Sequence, residues 1–176
     1  MKKILITGAG SYIGTSFENY INTNFPDEYT VDTVDMIGGG WKEKDFSPYD
    51  AVFHVAGIAH QKENEKNEHL YYEVNRDLAI ETAKKSIEDR VKQFVFLSSM
   101  SVYGLNEGVI TKDTTPYPKN NYGKSKLQAE ELLKELTKNK IRLVILRPPM
   151  VYGENCRGNY QALRKIALKF PFFPKV

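Results

Sequence analysis

Short, nearly continuous apolar segments alternate along this chain with longer stretches of helical period. Five segments rich in Val, Ile and Phe have the length of a strand: Lys3 to Thr7, Thr30 to Val34, Ala51 to Val55, Gln93 to Leu97 and Arg142 to Leu146. Helical periodicity marks four other stretches: Tyr12 to Asn22, Glu68 to Glu88, Tyr122 to Lys138 and Tyr160 to Lys169. Strands that are apolar along their whole length are typical of parallel sheets covered on both faces. The alternation predicts an α/β protein with a doubly wound parallel sheet, helices on both faces and right-handed crossovers.

Length and composition narrow the class of protein. The 176 residues are enough for one core, and no apolar run reaches the roughly 18 residues of a membrane span. Met1 to Lys3 lead directly into the first predicted strand, without the apolar segment of a secretory signal. We therefore expect a soluble, cytoplasmic protein that is not inserted in a membrane.

Metal and nucleic acid are not expected as ligands. The single cysteine, Cys156, offers no thiolate cluster, and His54, His60 and His69 are scattered over strand, loop and helix start, so packing or surface roles are expected for them. The net charge is only +3, and five cations without an acid are concentrated in the last 20 residues. A nucleic-acid-binding face would carry many more cations interleaved with aromatic residues.

A glycine-rich turn joins the first predicted strand to the first predicted helix. The segment from Thr7 to Gly14 reads TGAGSYIG, and its glycines allow the backbone to approach a pyrophosphate at a helix N-terminus. Asp35 ends the second strand 21 residues after Gly14, where a carboxylate can accept hydrogen bonds from adenosine ribose hydroxyls. A carboxylate there repels a 2′-phosphate, and no arginine follows closely, so the pattern favours NAD over NADP.

A second group of polar residues follows the fourth strand and opens the third long helix. Tyr122 and Lys126 are four residues apart, so they share a helix face, and an ammonium beside a phenol is expected to lower the phenol's pKa. Ser98, Ser99 and Ser101 follow the strand, where a hydroxyl can bond the oxygen that the tyrosine protonates or deprotonates. An ordinary surface pair is the alternative interpretation of the Tyr-Lys spacing.

With further motifs in the same order, these residues make the chain resemble the extended short-chain dehydrogenase/reductase superfamily, and within it the NAD-dependent nucleotide-sugar epimerase/dehydratase family. The further motifs are HVAG at 54–57, Val74-Asn75, FVFLSSMSVYG at 94–104 and LRPPMVYG at 146–153. The resemblance runs essentially from Met1 to the end of the chain. It implies a Rossmann-type fold whose small C-terminal substrate domain lies beyond this chain, with an NAD-binding domain at 1–156 and the start of a substrate-binding region at 157–176.

The resemblance also implies roles for individual residues. Tyr122 is expected to be the catalytic acid and base, Lys126 its partner and a ligand of the nicotinamide ribose, and Ser99 the catalytic hydroxyl, which also touches the substrate. The expected cofactor-binding residues are Gly8, Gly10, Ser11, Tyr12, Ile13 and Gly14 at the pyrophosphate, Asp35 at the ribose, Asp45 and Phe46 at the adenine, and Val55, Ala56, Gly57, Lys126 and Pro148 further along the cofactor. Asn75, Arg157 and Asn159 are candidates for substrate binding or for loop support, and Trp41 for covering the adenine or for simple packing.

Three departures from the family pattern narrow these expectations. Ser11 stands where the usual TGxxGxxG turn has a glycine, and Gly10 comes one place early, so we expect a reshaped turn. The dehydratases of the family carry an Asp-Glu pair directly after the catalytic hydroxyl, and Met100 and Ser101 at those positions argue against dehydration. Pro149 and Met150 replace an asparagine that is common in 4-epimerases. The sequence around them is closer to a bacterial surface-polysaccharide branch of 4-epimerases and 4-keto-sugar reductases.

The resemblance therefore implies an NAD-dependent 4-epimerase of a nucleotide-diphosphate sugar, such as a UDP-hexose or UDP-N-acetylhexosamine, that passes through a transient 4-keto intermediate. A 4-keto-sugar nucleotide reductase using NAD(P)H is the first alternative, and a dinucleotide-binding module without turnover is an alternative of another class. A homodimer is implied by the helices that pair in many relatives. Turnover by this chain alone is not expected.

Overall fold

Five parallel strands form one sheet in a computed structural model that describes residues 1–59, 64, 67–154, 156 and 159–169. The strands are β1 (Lys2–Thr7), β2 (Tyr29–Val34), β3 (Ala51–His54), β4 (Gln93–Leu97) and β5 (Arg142–Leu146). Their order is β2-β1-β3-β4-β5, and all four neighbouring pairs are parallel. Every predicted strand is present, with its ends within one residue, and the predicted fold class is confirmed.

The predicted helices are present as well. They are α1 (Tyr12–Asn24), α2 (Glu68–Tyr72), α3 (Leu78–Glu88), α4 (Asn121–Thr137) and α5 (Asn159–Lys169). A π-helical turn, Glu73–Asp77, joins α2 to α3, so the predicted helix over 68–88 is continuous but not uniformly α-helical. No helix in the described ranges is both long and apolar enough to cross a bilayer.

Successive residues of a strand alternate between two separate apolar layers, one on each face of the sheet. Leu5 belongs to the larger layer, which also includes Phe94 of β4 and residues of α3 and α4, whereas Ile6 belongs to the smaller layer with Phe53. Neighbouring residues of a strand point to opposite faces, so both faces of this sheet must be covered. This double burial explains why the strand sequences show no polar alternation.

The connection from β2 to β3 is a compact loop without a long helix. It contains a 3-10 helix, Ile37–Lys42, in which Gly38 and Gly39 have positive φ angles of 73° and 78°. Trp41 is 3% exposed and packs into the larger apolar layer. Of its two predicted roles, packing is therefore the one that the structure supports.

His54 lies at the end of β3 and packs against the larger apolar layer. Its ring stacks near Phe94 and Phe96, with centroids 5.9 and 6.1 Å away, and its Nδ1 is 2.8 Å from the Thr7 hydroxyl. Within the described part of the chain, Nε2 has no hydrogen-bond partner. Burial, with a smaller contribution from the nearby Lys126 charge, lowers the pKa of His54 from 6.5 to about 3. The predicted packing role fits this surrounding, since the ring stays neutral.

The buried imidazole is expected to make the fold acid-sensitive. Because the pKa is depressed in the folded state, the unfolded chain binds one more proton between pH 6.5 and about 3, and stability falls as the pH drops through that window. The free energy of unfolding should fall by about 2 kcal/mol between pH 7 and pH 5 through this residue alone. Urea unfolding of His54→Gln should lack that increment, whereas the exposed His69→Gln control should keep it. An equal acid loss in wild type and His54→Gln would refute the assignment.

Candidate functional site

A cleft of about 420 Å³ opens at the carboxyl ends of the strands. Ligands of open α/β sheets bind at this edge, where the strand order reverses, and in this order the reversal lies between β1 and β3. The predicted site residues that line the cleft are Ser11, Tyr12, Ile13, Val55, Gly57, Ser99, Tyr122, Lys126 and Pro148. Residues that lie 137 positions apart in the sequence are thus brought to one cavity.

The glycine-rich turn has the reshaped course expected from its sequence. Gly8 and Gly10 have positive φ angles of 115° and 72°, whereas Ser11 is extended, with a φ of −69°. A Cβ on Gly8 would lie 2.8 Å from the Ala56 backbone nitrogen, so the turn is packed directly on the loop after β3. Ser11 can replace the usual glycine because Gly10 supplies the left-handed conformation one residue earlier.

The first turn of α1 can hold a pyrophosphate. Ser11 is the N-cap, and its hydroxyl accepts a 3.2 Å hydrogen bond from the Gly14 amide. The first amides of a helix have no partner within the helix, and they attract anions together with the helix dipole. The backbone at Tyr12 and Ile13, on the cleft wall, therefore fits the phosphates of a dinucleotide.

The predicted adenosine contacts divide into exposed and buried side chains. Asp35 is exposed at the end of β2 and accepts a 3.0 Å hydrogen bond from the Ile37 amide. Asp45 is also exposed, but Phe46 is fully buried, and its amide donates to Asp89 at 2.9 Å. The Phe46 ring packs in the apolar core, so the predicted adenine contact of Asp45 and Phe46 stays a prediction that the buried ring itself does not support.

Ser99 and Tyr122 both line the cleft. Ser99 ends the extended segment after β4 and caps the 3-10 helix Met100–Tyr103, with its oxygen 3.1 Å from the Ser101 amide. Ser99 also acts on the Tyr122 phenol, whose pKa it lowers. Ser98 points away from this pair into the protein, so Ser99 is the serine placed to act with Tyr122.

Lys126 is buried at the base of the cleft. Its ammonium donates to the Leu97 carbonyl at 3.0 Å and lies 4.8 Å from the centre of the Phe96 ring. Burial lowers the pKa of Lys126 from 10.5 to about 8, and the Glu130 carboxylate opposes that change. A Cβ on Gly57 would lie 2.8 Å from Asn75 Oδ1 and 3.1 Å from this nitrogen, so a larger residue there would require both side chains to shift.

The pKa of Tyr122 differs from the sequence prediction. Burial raises it above the ordinary value of 10, and the hydrogen bond from Ser99 partly opposes that rise. The predicted lowering of this pKa by Lys126 is absent. The ammonium instead contacts the Leu97 carbonyl and the Phe96 ring. The phenol is therefore protonated at neutral pH in this state of the protein, ready to donate a proton.

The three predicted substrate candidates other than Ser99 have different outcomes. Asn75 lies in the π-helical turn, fully buried, where its amide bonds both backbone groups of Ile58 at 2.9 and 3.1 Å and the Ser125 hydroxyl at 3.2 Å. These are the contacts of loop support, the alternative that the sequence left open. Arg157 lies outside the described residues, and Asn159 begins α5 without a described side chain.

Sequence reasoning missed a buried ion pair next to the site. Glu130 is fully buried and pairs with Arg147, which follows β5 directly. A carboxylate four residues after Lys126, in the same helix and beside the apolar Ala129 and Leu133, was the signal available in the sequence. Within the described residues, no group of three His, Cys, Asp or Glu side chains is placed to hold a metal ion.

Two curated relatives resemble this chain over nearly its whole length. The UDP-glucose 4-epimerase of Vibrio cholerae is 31% identical over 191 aligned positions, which cover 96% of this chain and 57% of the relative. An Escherichia coli O157:H7 protein named N-acetyl-alpha-D-glucosaminyl-diphospho-ditrans,octacis-undecaprenol 4-epimerase is 30% identical, covering 93% of this chain and 54% of the relative. The chain thus spans about half the length of the curated relatives it matches.

A solved structure and a family model lead to the same conclusion. The UDP-glucuronic acid 4-epimerase of Bacillus cereus, crystallised with NAD, superposes with a TM-score of 0.72 at 28% identity and covers 86% of this chain and 57% of its own. The family model that matches residues 4–170 names NAD in its description, in agreement with the predicted cofactor. A match of that extent, on a chain whose cleft brings together the glycine-rich turn and the Ser99–Tyr122 pair, places this chain in the NAD dependent epimerase/dehydratase family.

Proposed function

We propose that this chain forms the NAD-binding and catalytic part of an enzyme that inverts C4 of a nucleotide-diphosphate sugar. The observation that carries the proposal is the strand-end cleft, which Ser99 and Tyr122 line together, with Lys126 buried at its base. A module that only binds a dinucleotide has no use for a phenol and hydroxyl aligned in this way. The named relatives add support, because the three compared above are 4-epimerases.

The chain's own residues fit NAD rather than NADP. The first turn of α1 would hold the pyrophosphate, Asp35 the adenosine ribose, and Lys126 the nicotinamide ribose. A 2′-phosphate would meet the Asp35 carboxylate, and the next cation along the chain, Lys42, is paired with Glu81 at 2.9 Å. Bound NAD supplies a reversible hydride acceptor at the sugar C4.

The protein groups then handle the proton. Tyr122, as the phenolate, takes the proton of the sugar C4 hydroxyl, and Ser99 holds the same oxygen by a hydrogen bond. The chain alone disfavours the phenolate, and the Lys126 ammonium together with the positive charge of bound NAD would stabilise it. The C4–H bond breaks as hydride and a 4-keto sugar results. After the sugar turns its other face, hydride returns to C4 and Tyr122 gives the proton back to the oxygen.

The substrate class and the assembly are parts of the same proposal. The names of two relatives reported above specify UDP-sugars as substrates, so we favour a UDP-hexose or UDP-N-acetylhexosamine. The homodimer implied by the sequence stays a prediction, and exposed Leu70 and Leu132 lie on the helices it would use.

Proton NMR of the anomeric signals tests the proposal. The complete protein, loaded with NAD, should convert a UDP-hexose or UDP-N-acetylhexosamine to its C4 epimer with no net change in NADH absorbance at 340 nm. Stoichiometric NADH consumption with a 4-keto sugar nucleotide, without inversion of either hexose, would instead identify the reductase. Tight binding of NAD with neither reaction would favour the dinucleotide-binding module.

A further inference from the structure

One carboxylate links α4 and the segment after β4, which carry the reactive groups, to the end of β5. Glu130 lies on α4, four residues after Lys126, and is fully buried. Burying a carboxylate is costly unless charges and hydrogen bonds compensate for the lost water. The compensating groups come from two other segments, the ends of β4 and β5.

Arg147 supplies the compensating charge. Its Nε donates to Glu130 Oε1 at 2.9 Å, its Nη2 donates to Oε2, and its Nη1 donates to the Tyr103 hydroxyl at 2.6 Å. The guanidinium also lies 4.9 Å from the centre of the Tyr103 ring. Two donors on one carboxylate fix its orientation as well as its charge.

Ser98 supplies the third connection. Its hydroxyl donates to Glu130 Oε1, and its amide donates to the Leu146 carbonyl at 2.7 Å. Ser98 directly precedes Ser99. The Met100 amide in turn donates to the Pro148 carbonyl at 3.1 Å, which ties the serine segment to the residue that follows Arg147. Glu130 therefore joins α4, which carries Tyr122, to the segment that carries Ser99.

We propose that Glu130 is a positioning residue for the proposed reaction, holding Ser99 against Tyr122 through Ser98 and Arg147 and placing negative charge behind Lys126. This inference rests on the proposed function. Reacting groups displaced by about 1 Å can lose two orders of magnitude in rate, so one buried joint under both groups has a large effect on kcat.

The charge of Glu130 also acts on its neighbour. The titratable and charged groups around Lys126 and Glu130 are Tyr122 from α4, His54 from β3, Arg147 from the end of β5 and Tyr103 from the 3-10 helix. His54 is neutral at neutral pH, so Glu130 is the anion that opposes the loss of the Lys126 proton. Without it, the Arg147 cation is left uncompensated and Lys126 loses its proton at lower pH.

Glu130→Gln tests the proposal, because it keeps the size and the hydrogen-bonding shape and removes the charge. We expect kcat for C4 inversion to fall about 10- to 100-fold, with KM for the sugar nucleotide unchanged within about twofold. The alkaline limb of the kcat–pH profile should move about one pH unit to lower pH. Glu131→Gln, an exposed neighbour, is the matched control and should change neither quantity.

A direct titration separates this proposal from the proposed function. In protein labelled with ¹³Cε-lysine, the Lys126 signal is assigned by its loss in Lys126→Met, and its midpoint should be lower in Glu130→Gln than in wild type. This readout holds even if the wild type inverts no sugar. An unchanged midpoint together with an unchanged kcat would overturn the positioning role.

A second variant covers the case in which Glu130→Gln does not fold. Replacing a buried ion pair by apolar residues of similar size is often neutral for stability, so Glu130→Met with Arg147→Met should fold. The positioning role predicts a folded double variant, judged by circular dichroism, with kcat still reduced at least tenfold. A folded double variant with wild-type kcat would show that the pair contributes stability alone.

Discussion

Tyr122→Phe is expected to lower the rate of C4 inversion by about 10²- to 10⁴-fold, the usual contribution of a positioned acid and base. Phenylalanine keeps the ring, which packs edge-on to Tyr71 with centroids 6.5 Å apart, so the fold should be retained. Only the hydroxyl whose pKa Ser99 lowers is lost. Affinity for NAD, measured by quenching of protein fluorescence, should stay within about twofold of wild type.

Tyr20→Phe provides the matched control for this variant. Its ring is 58% exposed on α1, away from the cleft, so the same chemical change there should leave the rate unaltered. Inversion at the wild-type rate in Tyr122→Phe would refute the proposed mechanism. A parallel loss of NAD affinity and rate would mean instead that the hydroxyl serves cofactor binding.

The sheet was predictable because its inner strands are covered on both faces. Segments such as 94–97 are then apolar along their length, and such runs are short and easily bounded. The edge strand β2 keeps Thr30 and Asp32 exposed. The helix over 68–88 was predictable in extent but not in detail. A π-helical turn adds residues within a turn while keeping the general helical period, so the pattern does not reveal it.

The cleft residues were predictable from motifs, whereas their electrostatics were not. The spacing of Tyr122 and Lys126 puts them on one face of α4, but the ammonium is turned toward the Leu97 carbonyl of another segment. That contact depends on the packing of α4 against β4. The direction of the Tyr122 pKa therefore required the structure.

Glu130 and Phe46 both show that local sequence patterns do not predict tertiary contacts. Glu130 is charged yet fully buried, because it pairs with Arg147, which directly follows the distant strand β5. Phe46 belongs to a motif expected at the adenine, yet its ring fills the core. In both residues the neighbours come from distant parts of the chain, and local patterns contain no record of them.

Lys126→Met is expected to reduce inversion by at least about 10²-fold and to change how stability depends on pH. The variant removes the buried cation behind Tyr122, so the phenolate loses its electrostatic support and NAD loses a contact to its ribose. Because the pKa of Lys126 is about 8 in the fold and 10.5 in the unfolded chain, the unfolded chain binds more protons between these values. Stability contributed by this residue therefore rises with pH in that window, by about 1.4 kcal/mol per pH unit.

Urea unfolding at pH 8 and pH 10 measures that rise. The wild type should gain roughly 2 kcal/mol over the interval relative to Lys126→Met, because methionine carries no proton to lose. Lys124→Met, an exposed neighbour two residues earlier on α4, should match the wild type in both rate and pH dependence. If Lys126→Met kept the wild-type gain, the lysine would titrate normally in the fold and its buried ammonium could not be the group that supports the phenolate. The two readouts thus test one assignment, a buried ammonium at the base of the cleft that Tyr122 also lines.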